Sequence, residues 1–278
     1  MKNILKIMLM MITIFTIAGS AVYAAEIPVS DQDQLITSRD WTEISNLQDE
    51  MKKEEPDATI DYDKALKVYV DCNLIKLQTA DTKKLTSALE SANYVWVIPF
   101  KMEKTYGMFT VAKGLPLSEE AKSVLTKAEQ EEVKNHAGKW MITETAEHTV
   151  EPYYDILLEK REALSDCTRV VLVGSQPGMR QPVALGMDDE TARIWISLGY
   201  QYPVMEKIPE TQNVESGVYS FESVADISDT YIEDSEVSTG AGVQSRSSMK
   251  YVAGIGIIVI GSILILSVLK KKKLEDYE

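Results

Sequence analysis

Tyr94-Val95-Trp96-Val97-Ile98-Pro99-Phe100, the polar loop Lys101–Gly107, and Met108-Phe109-Thr110-Val111-Ala112 form the stretch on which the fold turns. Two runs rich in β-branched and aromatic residues flank a short polar connection, which is the pattern of an antiparallel hairpin. Upstream, Thr79–Ala92 carries Leu85, Ala88 and Leu89 at helical spacing, and Lys67–Cys72 alternates, with Val68, Val70 and Cys72 on one strand face. Downstream, Gly114-Leu115-Pro116 breaks the chain. Ser118 then caps a helix with the stripe Ala121, Val124, Leu125 and Ala128, ending near His136-Ala137-Gly138. Trp140–Thr145 reads as a strand. Pro152 suits a first helical turn, followed by the apolar face Tyr153, Ile156, Leu157 and Leu164. Arg169–Val173, Val183–Met187 and Arg193–Leu198 read as strands, separated by turns at Gly174–Gly178 and Asp188-Asp189-Glu190.

Strand–helix–strand–strand thus occurs twice within 61–205. The expected fold is α+β, a mostly antiparallel sheet with helices packed on it; the repeat is one of pattern and not of sequence, and is either chance or two βαββ-like halves sharing the sheet with helices on one face. Before it, 25–60 is a polar leader with one short docking helix. Trp41, Ile44, Leu47 and Met51 form the apolar side of that helix, and Asp40 with Glu43 resembles a capping box. After it, 206–250 holds nine acids against three bases and reads as a flexible, self-repelling stalk, to which Val218, Phe221 and Val224 could add a short helix or docking strip.

The two ends set the expected location. Lys2 and Lys6 precede an uncharged run from Ile7 to Ala18, and Val22-Tyr23-Ala24 offers a cleavage site, so 1–24 reads as a secretory signal. Residues 251–269 carry no charge, and at 1.5 Å per residue they cover about 29 Å, close to a bilayer's hydrocarbon core. Lys270, Lys271, Lys272 and Lys273 follow as a stop-transfer cluster, leaving 270–278 as a cytoplasmic tail. The expected protein is a single-pass resident of the cell membrane with its N-terminal domain outside. No cysteine follows the apolar run to take a lipid, and no Leu-Pro-x-Thr-Gly motif precedes the span.

Composition narrows the function classes. The net charge of −14 argues against nucleic acid as a partner. Two cysteines and two histidines exclude a disulfide-rich miniprotein, a four-cysteine zinc site and histidine-rich metal binding. No cofactor motif is present. Cys72 and Cys167 could bridge in an oxidising exterior, or remain buried thiols. A cysteine nucleophile would need His136 or His148 within hydrogen-bond reach, and no nucleophile motif surrounds either cysteine. Gly174-Ser175-Gln176-Pro177-Gly178 is neither G-x-S-x-G nor a phosphate loop, and Asp188-Asp189-Glu190 is too short for a calcium loop. Trp96, Trp140 and Trp195 in strands, with Tyr94, Tyr200 and Tyr202 near strand ends, would either line a ligand face or fill the core.

The layout of signal, strand-rich domain led by Asp61-Tyr62-Asp63-Lys64-Ala65-Leu66-Lys67-Val68-Tyr69, acidic stalk, span and lysine cluster resembles uncharacterised single-pass surface proteins of Gram-positive bacteria. That resemblance implies a location and no chemistry. The βαββ pattern is also loosely similar to extracytoplasmic sensor domains of the PAS or Cache type, an analogy of fold alone. The functional expectation is a membrane-anchored extracytoplasmic binding or sensor module for an envelope ligand or protein partner. The alternatives are an envelope assembly factor and, less favoured, a cell-envelope hydrolase.

Overall fold

The hairpin forms as the sequence predicts. β3 (Tyr94–Lys101) and β4 (Tyr106–Lys113) pair antiparallel from Val95↔Ala112 to Lys101↔Tyr106. Gly107 makes room for the Phe100 ring, because a Cβ at 107 would lie 2.1 Å from Phe100 Cζ, and Phe100 in turn packs on Phe109 with ring centroids 4.6 Å apart. This computed structural model describes residues 27–148, 151–174, 176, 179, 181–199, 202, 204–209 and 213–227. The signal at 1–24, the span at 251–269, Lys270 to Lys273 and Tyr200 lie outside the described residues. Among the described residues no helix is long and apolar enough to cross a membrane.

The fold is α+β around one large, mostly antiparallel sheet. Its remaining strands are β1 (Thr59–Ile60), β2 (Leu66–Tyr69), β5 (Trp140–His148), β6 (Arg169–Val173), β7 (Val183–Met187), β8 (Ala192–Ser197), β9 (Asn213–Glu215) and β10 (Val218–Ser220). The order is β5-β4-β3-β2-β6-β7-β8-β10-β9, with β1 beside the end of β3. The one parallel pairing between strands joins β2 to β6 at the centre, through Val68↔Leu172 and Tyr69↔Val173. Two meanders run outward from it, β2-β3-β4 and β6-β7-β8. The expected second βαββ half is therefore not a unit. β5, which would open it, extends the first meander beyond β4, and the chain then returns to the centre to start β6.

Helices cover both faces, not one. The reason is legible in burial: β7 is buried along its whole length, as is β3 from Trp96 to Phe100, and a sheet apolar on both faces needs cover on both. On the back, α6 (Tyr153–Glu159) lays Tyr153 and Leu157 on Leu66, Val68, Leu172 and Ile196. On the front, α3 (Thr82–Ser91), capped by the Asp81 carboxylate accepting from Lys84 N, places Leu85 and Leu89 against Val171, Val183 and Leu185. The rest of the front is covered by the leader. There α1 (Trp41–Ile44), a 3-10 turn (Ser45–Leu47) and α2 (Gln48–Glu54) bury Ile44 and Met51 against Trp96, Ile98 and Phe109.

Three readings of the sequence change. The helix after Ser118 is two helices, α4 (Glu119–Val124) and α5 (Lys127–His136), because Thr126 forms a capping box with Glu129 and starts the second. Val124, placed on the apolar stripe, is exposed. Residues 206–227 do not begin a stalk. Ile208, Val218, Phe221 and Val224 are buried, β10 pairs with β8, and 221–227 is helical. β9 and β10 turn through Gly217, whose φ of 75° suits glycine. Finally, Asp40 makes no side-chain cap, since its backbone is already αR.

Candidate functional site

The parallel strands β2 and β6 touch over two residue pairs and splay towards their N-terminal ends, where the leader fills the slot. Val29 bridges Val170 and Gln34 bridges Leu66. Val170 N donates to Pro28 O at 2.8 Å, and Leu35 N donates to Ala65 O at 3.2 Å. The leader passes through this slot from the back-face cluster, where Ile27 and Val29 are buried, to the front, where Leu35, Ile44 and Met51 join the cluster around Trp96, and the polar residues of the front face meet it there.

Strand alternation puts Lys67 and Tyr69 of β2 on the front, opposite Trp96 and Tyr94 of β3 in register. Arg169 of β6 points the same way. Asp33, 2% exposed, is the anion among them. Its carboxylate accepts from Tyr69 Oη at 2.8 Å, Arg169 Nη2 at 2.9 Å and Ser30 Oγ at 2.7 Å, with Lys67 Nζ at 3.5 Å. The Lys67 ammonium also lies over three rings, 4.7 Å from the centroid of Tyr94, 5.3 Å from Trp96 and 5.8 Å from Tyr69. A second acid, Asp40, is 7% exposed and accepts from Tyr94 Oη at 2.8 Å and Trp96 Nε1 at 3.1 Å.

Burial dominates the electrostatics. It pushes Lys67 below the usual lysine range although Asp33 pulls the other way. It pushes Tyr69 well up, helped by the Asp33 charge, and raises Tyr94. The phenols therefore stay protonated and donate. Leaving either cation without Asp33 is the costly event here, because breaking a buried ion pair strands the survivor in a poor solvent for charge. Chemically the arrangement is a carboxylate receptor: donors and aromatic rings on the sheet, acids on the segment that crosses it.

Of the aromatic residues singled out from sequence, Trp96 and Tyr94 belong to this cluster, and Asp40, expected as a helix cap, is its second acid. Trp140 packs at 5.9 Å from Tyr94, Trp195 stacks on Phe221 at 5.6 Å, and Tyr202 is buried and donates to Pro182 O at 2.5 Å. Trp96, Trp140, Trp195 and Tyr202 are core residues and none lines an open ligand face. Cys72 and Cys167 are free, buried thiols in clusters on opposite faces of the sheet, so the bridge allowed by the sequence is not present. Burial pushes the Cys72 thiol up to about 12 and that of Cys167 to about 11, the reverse of an activated nucleophile. His136 ends α5 and His148 ends β5, on the far side of β4 and β3 from β2, which Cys72 follows, and β6, which Cys167 precedes.

Gly174 N donates to Tyr69 O at 2.7 Å, and the Gln176 amide is buried against Cys72 O, Gly174 O and Leu74 N, so this segment stitches the end of β6 to the chain leaving β2. Asp188 accepts from the amides of Glu190 and Thr191 and pairs with Arg193, which explains its lowered pKa and makes it a turn residue. Among the described residues no group of three or more His, Cys, Asp or Glu could hold a metal. Asp33, Lys67, Tyr69 and Arg169 were missed from sequence. The available signal was a lysine inside a strand, flanked by residues of a buried sheet, and an acid set among Ile27, Val29 and Leu35. Compared with known families, curated proteins and solved structures, the chain matches none.

Proposed function

We propose that the chain is a membrane-anchored extracytoplasmic binding module, exported by 1–24 and held by the span at 251–269. The observation that carries the binding reading is the preformed carboxylate receptor at the centre of the sheet, where Lys67, Tyr69, Tyr94, Trp96 and Arg169 converge on the acids of the leader. Arrays of donors backed by aromatic rings serve recognition, and the raised cysteine thiols argue against covalent catalysis. An assembly role through protein partners is the second reading. It is favoured by the α4–α5 excursion between β4 and β5, none of whose α5 residues is buried and which exposes Leu115 and Val124.

The test is thermal unfolding in detergent of the full chain against envelope polymer fragments, and of its Asp33→Asn/Asp40→Asn variant against acidic peptides, since in the wild-type chain the leader already fills the site. A ligand held at a hundredfold excess over its Kd adds ~2.7 kcal/mol of stability, a readily measured rise in Tm. Concentration-dependent stabilisation by one such class supports the module. Turnover of an envelope substrate, with no ligand stabilising the chain, overturns it.

A further inference from the structure

We infer that the slot between β2 and β6, together with the front of the sheet, is a receptor for an acidic amphipathic peptide, and that residues 27–57 are its resident occupant, bound in cis. The inference rests on the binding-module reading and names the ligand class for that same site.

Three observations point this way. First, the polar contacts divide by chain segment. Both buried acids, Asp33 and Asp40, come from the leader, and the groups that hold them from across the interface come from strands: Tyr69, Arg169 and Lys67 for the first, Tyr94 and Trp96 for the second. Within the leader only Ser30 Oγ adds a hydrogen bond, to Asp33, so across the interface the side-chain charge divides with the acids on the leader and the cations on the strands. Second, the sheet side holds more donor capacity than the leader uses. Arg169 Nε is buried without a hydrogen-bond partner, and two strand cations face the single carboxylate of Asp33. Third, the leader engages as a peptide ligand does. Its extended start adds main-chain bonds in a slot between two strands and buries Ile27 and Val29 with the back-face residues, the turn after Gln34 buries Leu35, and its helical end buries Ile44 and Met51. The recognised pattern is two carboxylates seven residues apart, followed by apolar residues at helical spacing.

The leader joins the sheet through Glu55-Pro56-Asp57, of which Pro56 and Asp57 are exposed. The covalent link gives the leader a high effective concentration, so a peptide in trans competes poorly until the link is cut or the acids are removed.

The experiment uses the full chain in detergent with a protease site inserted after Asp57. After cleavage, the nicked chain keeps its leader on gel filtration and exchanges it for a fluorescent synthetic peptide of residues 27–57. The same peptide carrying Asp33→Asn and Asp40→Asn competes at least about tenfold more weakly, the loss expected when charge-assisted bonds go. Equal competition by the two peptides, or loss of cooperative unfolding of the nicked chain even in excess peptide, overturns the inference. If the inserted site prevents folding, the uncut chain with Asp33→Asn and Asp40→Asn replaces it. The wild-type peptide then binds this variant and not the wild-type chain, and binding to neither overturns the proposal. A peptide that fails while an envelope ligand still stabilises the intact chain removes this inference and leaves the binding module standing.

Discussion

Replacing Asp33 by Asn keeps the shape of the side chain and removes its charge. The amide oxygen can still accept from Tyr69 Oη, but Arg169 and Lys67 lose their one close anion in a site where Asp33 is 2% exposed. Stranding a charge in such a place costs ~3–5 kcal/mol. For a domain of this size each kcal/mol moves Tm by roughly 2–4 °C, so the fall should be about 6–20 °C. The informative assay is a double-mutant cycle by urea unfolding. Lys67→Met alone leaves Asp33 with Arg169, Tyr69 and Ser30, and should cost less than Asp33→Asn. Adding Lys67→Met to Asp33→Asn removes a stranded cation, so the double variant should recover about 1 kcal/mol or more over Asp33→Asn alone, a coupling within the range for contacting residues. An Asp33→Asn cost below about 0.5 kcal/mol, as for a surface substitution, would refute the reasoning. So would simple additivity of the two changes.

Other expectations follow from the core. The folded chain should resist alkylation at Cys72 and Cys167, and unfolding without reductant should release two reactive thiols; a recovered Cys72–Cys167 disulfide would contradict the structure. Because both thiols titrate higher in the fold, to about 12 and about 11 against an ordinary 9.0, the stability they contribute is complete below about 9 and is lost as pH rises towards 12. The lowered Lys67 works in the opposite direction, its penalty easing as pH rises towards the ordinary lysine value. Urea midpoints between pH 8 and 11 should therefore fall less steeply for Cys72→Ala/Cys167→Ala than for wild type. Gly107→Ala drives a Cβ to 2.1 Å from the Phe100 ring, and should cost ~1–3 kcal/mol by overpacking, read as a lower Tm; an unchanged Tm would show that the ring yields freely.

Local pattern carried much of the fold, and long-range closure did not. The β3–β4 hairpin, α3 and the three strands from Arg169 onward were legible because each signal lies within a dozen residues. The parallel contact of Val68 with Leu172 has no local signature, so the sequence suggested a repeat where the molecule has two meanders about a centre. Acid content hid the end of the domain: Glu206, Glu215 and Glu222 are exposed and make 206–227 look like a stalk, while Ile208, Val218, Phe221 and Val224 between them are buried. Asp40 was misread for a related reason. An acid ahead of a helix looks like a cap, and only the tertiary structure brings Tyr94 and Trp96 within reach of it. Lys67 was hidden by the same logic, since a lysine alternating with valines suggests a solvent face until the leader covers it.

Hydrogen exchange on the full chain and on its Asp33→Asn/Asp40→Asn variant shows whether the leader is a separable occupant latched by two carboxylates. Protection should be lost selectively at the amides of Leu35, Glu55 and Val170, which bond within the leader or across to it, while β7 and β8 keep theirs. Protection falling uniformly across the sheet would make the leader an integral part of the core, and unchanged protection at Val170 would show that the two acids are not the latch.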